Sequence, residues 1–335
     1  MKKTLLTVFQ LLLPCIVFSQ LISTSFFREN LSTVNPAVID FEYLQYKLKN
    51  NIGATYQDQW LGFSDDNEKQ FTFSAFADIV PRKSNFVWGA RIGYDQAAAF
   101  QMIQFSTRGA VRMPLFSKYH NLSVGINIGV GINALRLSKV TTVDDIDPLL
   151  VISDNSSLLG AFPKAGIGLY YYYYRDGRSS YFAGLSLPNA IPMNFSYQNN
   201  ADTSDASNLF GYTVLQHFSA QGGYRFVMGR DYLDISGWMK KAITELKNAS
   251  FPIQWNIFTK YHFKNIFWVG GGFAVSMGSD DALSHQGAMA GFGVDWSSTS
   301  RRMLVQFGCT YHTDIGELQT YSFGTPEFFV RIGRF

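Results

Sequence analysis

The stretch Asn121–Leu137, NLSVGINIGVGINALRL, alternates almost without a break. Leu122, Val124, Ile126, Ile128, Val130, Ile132 and Ala134 take the even positions. Ser123, Gly125, Asn127, Gly129, Gly131 and Asn133 take the odd ones. A period of two sends successive side chains to opposite faces, so this is a strand with one apolar and one polar side. Strands of globular proteins usually run about 5–6 residues, and this one is more than twice as long. A tilted strand of about 9–11 residues crosses a bilayer. So long an apolar face demands a continuous apolar phase beside it.

The pattern recurs at NFVWGARIGY, FPIQWNIFTKYHF, QGAMAGFGVDW and RMLVQFGCTYH. In all, about fourteen such segments can be read, the even number a closed antiparallel barrel needs when both termini lie on one side. They fall near 49–59, 69–79, 85–96, 101–113, 121–136, 162–173, 178–187, 212–228, 231–240, 252–263, 265–277, 286–297, 302–314 and 326–335. Their connections alternate in length. Long ones lie near 59–68, 137–161, 188–211, 241–251, 278–285 and 315–325, with 97–100 the short exception. The tight ones read PRKS, PLFSKYH, YRDGR, GR, KN and SSTSR, and most are basic, whereas most long loops are acidic. Long loops outside and short turns in the periplasm are the outer-membrane pattern. A soluble β-sandwich or propeller explains the alternation but not this rhythm.

The expected fold is therefore all-β: a transmembrane antiparallel barrel of about 14 strands over residues 49–335, with a short N-terminal segment. That segment, 20–48, is expected to cap or plug the periplasmic mouth. MKKTLLTVFQLLLPCIVFSQ reads as a secretory signal, with Lys2 and Lys3 before an apolar run and cleavage after Ser19, giving a 1–19 leader. Pro14 beside Cys15 opposes a lipoprotein site. Without the leader only Cys309 remains, so no intrachain disulfide is expected. No later run reaches the roughly 18 apolar residues of a membrane helix. A formal charge of +3 with no like-charge block argues against nucleic acid.

Chemistry is sparse. Five histidines are scattered without ligand spacing, so no metal or other cofactor is expected. Ser186 lacks the second glycine of a nucleophile elbow. His285 with Asp280 and Asp281 is the one rim cluster, read as a solvated acidic loop, so the chain is not expected to be an enzyme. In YYYYY, Tyr171 and Tyr173 point outward near a strand end, as an interfacial girdle does. The inward phase carries Arg91, Arg108, Arg112, Lys164, Arg225, Lys260, His262 and Arg331 against Asp78, Asp95, Asp295 and Asp314. Ion pairing inside a plugged barrel is the plainer account. An anion-selective pore, or a dock for an acidic segment, is the sharper one.

SFFRENLSTVNPA with Asn35-Pro36-Ala37, YQDQW, NLSVGINIGVG, FPKAGIGLYYYY, YFAGLSLPN and the closing GTPEFFVRIGRF together resemble the PorP/SprF family of outer-membrane proteins. That family is associated with the type IX secretion system of Bacteroidota. The chain departs from its pattern at Ile39-Asp40, where a glycine is usual, and at Pro326 before Glu327. The resemblance implies a non-enzymatic barrel that binds and anchors, or helps deliver, a secreted cargo or surface adhesin through the cargo's C-terminal domain. Gliding adhesins are one such partner. Outer-membrane lipid and other type IX components on the periplasmic side complete the implied partners. Asn35, Pro36, Ala37, Asp58, Gln59, Trp60 and Glu327 are family-pattern positions, binding a partner or folding the barrel. The loops 137–161 and 188–211 are the first candidates for partner contact. The alternative is a passive porin or FadL-like transporter for small solutes.

Overall fold

The computed structural model describes residues 26–59, 70–81, 84–136, 157–197, 210–214, 216–243, 253–277, 283–298, 302–314 and 324–335. Two short helices, α1 (Leu31–Val34) and α2 (Phe41–Tyr46), precede β1 (Asn50–Gln59), β2 (Gln70–Ile79), β3 (Phe86–Ala97) and β4 (Phe100–Pro114). β5 (His120–Arg136), β6 (Ser157–Tyr173), β7 (Ser180–Asn189), β8 (Met193–Tyr197), β9 (Phe210–Val214) and β10 (His217–Met228) follow. The chain finishes with β11 (Asp231–Ala242), β12 (Ile253–Phe263), β13 (Phe267–Met277), β14 (Leu283–Ser298), β15 (Met303–Asp314) and β16 (Thr325–Arg334).

All except β8 and β9 close into one antiparallel barrel, each strand beside its sequence neighbours. β1 and β16 complete the ring, from Asn50 opposite Arg334 to Gln57 opposite Glu327. Closure leaves no free edge, which satisfies backbone groups a lipid phase cannot. The segment expected as one strand over 212–228 is two. β10 joins the barrel against β7, with a register shift between His217 and Ser219. β9 turns away and pairs with β8 from Phe210–Tyr197 to Val214–Met193. The connection after β7 therefore carries a hairpin of its own, which alternation alone could not separate from β10. The tight connections gather at one end of the barrel, the turn end. There Lys264 and Asn265, both at positive φ, are the central residues of the turn after β12, closed by the Ile266 N–H donating to the Phe263 carbonyl at 2.8 Å.

Burial alternates as the pleat requires. On β5, Ile126 and Ile128 are 57% and 61% exposed, while Ser123, Asn127 and Asn133 are buried in the lumen. Trp88, Ile52, Ile167, Phe273, Phe292 and Ile332 extend that apolar exterior around the ring. Only lipid covers such a belt. Near the turn end Tyr119, Tyr173, Tyr181 and Tyr224 stand in a chain of ring contacts, centroids 5.2–6.4 Å apart, an interfacial girdle. Ile128→Lys, at the centre of β5, is expected to lower stability by about 2–4 kcal/mol, measured by urea unfolding from phospholipid vesicles. Asn127→Ser on the opposite face should leave that midpoint nearly unchanged.

Candidate functional site

Residues 26–48 lie inside the barrel rather than beneath it. Phe26, Phe27, Leu31, Val38, Ile39 and Phe41 are at most 1% exposed. They form one apolar core with the wall residues Phe76, Val87, Tyr170, Phe182, Trp238, Phe258, Trp268 and Phe329. Phe26 stacks on Phe329 and meets the edge of Trp268, and Phe27 stacks on Trp238. Toward the turn end Tyr46 stacks on Phe335 at 7°. The final residue, Phe335, thus covers the N-terminal segment instead of facing lipid. A lumen with a hydrophobic core is what a plug requires and what an open aqueous channel lacks.

Asn35-Pro36-Ala37 forms the tightest part of the contact. Pro36 disfavours helix at the preceding residue, so α1 stops and Asn35 is extended at φ −133°. Asn35 Oδ1 accepts the Ala37 N–H at 2.9 Å, an Asx turn. Its Nδ2 donates to the carbonyls of Leu169 on β6 (2.9 Å) and Leu185 on β7 (3.4 Å). Ser186 Oγ donates to the Val34 carbonyl at 2.7 Å. Arg108 Nη1 donates to the Pro36 and Val38 carbonyls at 3.0 and 2.7 Å. The wall is flat here because Gly125 and Gly168 lack side chains. A Cβ at Gly125 would stand 2.6 Å from the Ala37 backbone, and one at Gly168 would overlap Asn35 Oδ1. Asn35→Ala removes the hydrogen bonds to β6 and β7 and the turn. It is expected to weaken docking by about 1–3 kcal/mol, seen as faster tryptic cleavage after the buried Arg28.

Charges continue the seat. Arg225 grips Asp234 of the wall with two nitrogens, each at 2.7 Å, and reaches Gln45 at 2.5 Å and Glu42 at 3.1 Å on α2. Arg331 donates to the Glu29 carbonyl at 2.8 Å and to Asp40 at 3.2 Å, with Glu42 at 3.7 Å. Lys260 pairs with Glu29. Arg28 lies 4.0 Å from Asp40 and over the rings of Phe41 and Phe182. Burial lifts the Asp40 carboxyl to about 6 against the pull of Arg331 and Arg28. Burial pushes Glu42 upward too, but Arg28, Arg225 and Arg331 outweigh it and hold Glu42 below the usual carboxylate range. Glu42 is thus held in its charged form more firmly than Asp40.

The family-pattern and lumen residues divide into groups. Asn35, Pro36, Ala37, Arg108, Arg225 and Lys260 meet at the plug seat, where Glu327 Oε1 also accepts the Phe26 N–H at 3.5 Å. Arg91 makes a two-point pair with Asp78 at 3.0 Å within the wall, and Arg108 joins the same carboxylate at 2.9 Å. Asp295 Oδ1 accepts from Gln306 Nε2 at 3.0 Å, and its Oδ2 lies 3.3 Å from His262 Nδ1. Arg112 is half-buried beside Tyr172. Asp58 and Gln59 are half-buried at the loop end of β1, opposite Phe71 and Gln70. Trp60, Asp280, Asp281, the His285 side chain, residues 137–156 and residues 198–209 lie outside the described residues. Among the described residues no cluster could hold a metal ion. Sequence reasoning missed Glu29, Asp40, Glu42 and Asp234. For the first three the available signal was a trio of carboxylates ahead of a basic inward phase.

Similarity to known proteins agrees with this architecture. A crystal structure of a Pseudomonas aeruginosa FadL homologue superposes with TM-score 0.53 at 10% identity, covering 95% of this chain and 96% of that one. The CymD monoaromatic hydrocarbon channel gives 0.52 at 10% identity, covering 91% and 92%. A TodX deltaS2S3 mutant monoaromatic hydrocarbon channel gives 0.53 at 10%, covering 95% and 100%. At such identity these are likenesses of fold alone. No curated protein matches the sequence. One family profile does, over residues 16–332, that of the type IX secretion system membrane protein PorP/SprF.

Proposed function

The chain belongs to the type IX secretion system membrane protein PorP/SprF family, and from that premise we propose that this barrel binds a secreted cargo protein and anchors it, or helps deliver it, at the cell surface. A gliding adhesin is one cargo of this kind, held by its C-terminal domain. The observation that carries the reading is the filled lumen. A barrel whose core is shared with its own residues 26–48 is suited to hold a partner rather than to pass solutes. In this reading the leader ends at Ser19, the turn end and both termini face the periplasm, and the loop end faces outward. Residues 20–48 are the plug and 49–335 the wall. The β8–β9 hairpin extends the partner surface beyond the ring. Asn35, Pro36 and Ala37 then act by seating the plug, and the barrel works as a non-enzymatic component.

Affinity purification of the tagged protein from native outer membrane, followed by mass spectrometry, tests this. A stoichiometric secreted protein is expected. Its absence, together with a large steady current from the intact protein in planar bilayers, would overturn the anchor in favour of a porin or FadL-like transporter. That second reading draws on the shared fold with hydrocarbon channels. Neither reading requires a cofactor.

A further inference from the structure

On the loop-end side of α1 a cleft remains between plug and wall, lined by residues including Ser32, Arg91, Gln104, Ser106, Asn127 and Lys164. Lys164 is 8% exposed, and its one hydrogen bond goes to the neutral amide oxygen of Gln104 at 2.6 Å. Glu29, Asp40 and Glu42 answer Lys260, Arg331 and Arg225 elsewhere in this lumen. Lys164 meets no carboxylate among the described residues. Three further polar groups lining the same cleft are buried without a partner: Arg91 Nε, Ser32 Oγ and Asn127 Oδ1. The carboxylate of Asp78 is already shared by Arg91 and Arg108. A buried ammonium beside two orphaned donors, Arg91 Nε and Ser32 Oγ, carries a desolvation cost that an anion relieves.

We propose that this cleft is a binding site for a carboxylate. Lys164 supplies the charge, and Arg91 Nε and Ser32 Oγ are donors in reserve. A carboxylate has about four acceptor positions to offer them. Phosphate, with more charge and more oxygens to satisfy, fits a single unpaired cation less well. The ligand is either a small free carboxylate or the C-terminal carboxylate of a polypeptide entering from the loop end. The site stands on this chain's own plug and wall, independently of which secreted protein the barrel holds.

Saturation-transfer NMR on the purified full-length barrel in detergent tests it with acetate as probe and acetamide as the neutral isostere. Saturable acetate binding without acetamide binding is expected. Lys164→Gln should weaken it by about tenfold or more, the loss of a charge-assisted contact, while Lys164→Arg retains it. Heat-modifiable migration on gels shows that each variant is folded. A short peptide with a free C-terminus that binds tighter than acetate, and loses this on amidation, identifies a chain end as the ligand. Peptide binding no tighter than acetate identifies a small carboxylate. No saturable acetate binding to the wild type, or equal binding to a folded Lys164→Gln barrel, would overturn the proposal.

Discussion

Deleting residues 26–46 is expected to convert a barrel that carries little current into a steadily open, anion-preferring pore. Residues 26–48 contribute the apolar centre of the lumen, so their loss leaves Phe76, Phe182, Trp238 and Trp268 lining a water-accessible space. The same deletion removes Glu29, Asp40 and Glu42, strands Lys260 and Arg331, and leaves Arg225 with Asp234 of the wall alone. Basic groups lining a pore concentrate anions. Planar-bilayer recordings should therefore show a several-fold rise in conductance, with a reversal potential in a salt gradient shifted toward that of chloride. Unchanged conductance would mean that residues outside 26–46 close the lumen. A cation preference would contradict the charge assignment. If the truncated barrel assembles poorly, Gly125→Val offers a second route, because its side chain collides with the Ala37 backbone while the wall strands keep their length.

The second large effect is expected at Arg225. Its guanidinium joins Asp234 of β11 to Glu42 and Gln45 of α2 and lies 4.2 Å from the Tyr232 ring. Arg225→Ala leaves the buried Asp234 without its ion-pair partner and takes from Glu42 one of its three cations, a loss of about 3–5 kcal/mol when one partner of a buried pair is removed. That raises the undocked population of the plug by about two to nearly four orders of magnitude. Limited trypsin digestion reads this directly, since the buried Arg28 is cleaved only from the undocked state. Arg225→Ala with Asp234→Asn and Glu42→Gln should recover much of the resistance, because no unpaired carboxylate remains. A single mutant as resistant as the wild type would show that the apolar core alone holds the plug.

Much of the wall was legible in the primary structure, for a physical reason. Lipid on one side and a polar lumen on the other impose a period of two that nothing interrupts, so Leu122–Ala134 reveals its outward face residue by residue. Turn chemistry added the ends: Gly229-Arg230 and Lys264-Asn265 mark hairpins through their local backbone needs. The error at 212–228 has the same origin. A projecting hairpin and a barrel strand share one periodicity, and only pairing partners tell them apart. At the plug the position is reversed. Glu29 meets Lys260 across 231 residues, and Asp40 meets Arg331 across 291. No local pattern connects such residues. The role of Gly125 and Gly168 was likewise hidden, since a glycine that clears room for Ala37 reads the same as one that eases curvature.

The sequence by itself determined that the chain forms a membrane barrel, roughly where each strand runs, which face of each strand meets lipid, and the family it resembles. These follow from neighbours in the chain and from the solvent on either side. Only the tertiary structure decided that residues 26–48 fill the lumen, which wall charges they answer, and that Lys164 meets no carboxylate among the described residues. Those outcomes depend on which inward side chains share a level once the ring closes. That level is set by strand register and by the path of the plug, and both arise from contacts between residues far apart in the chain.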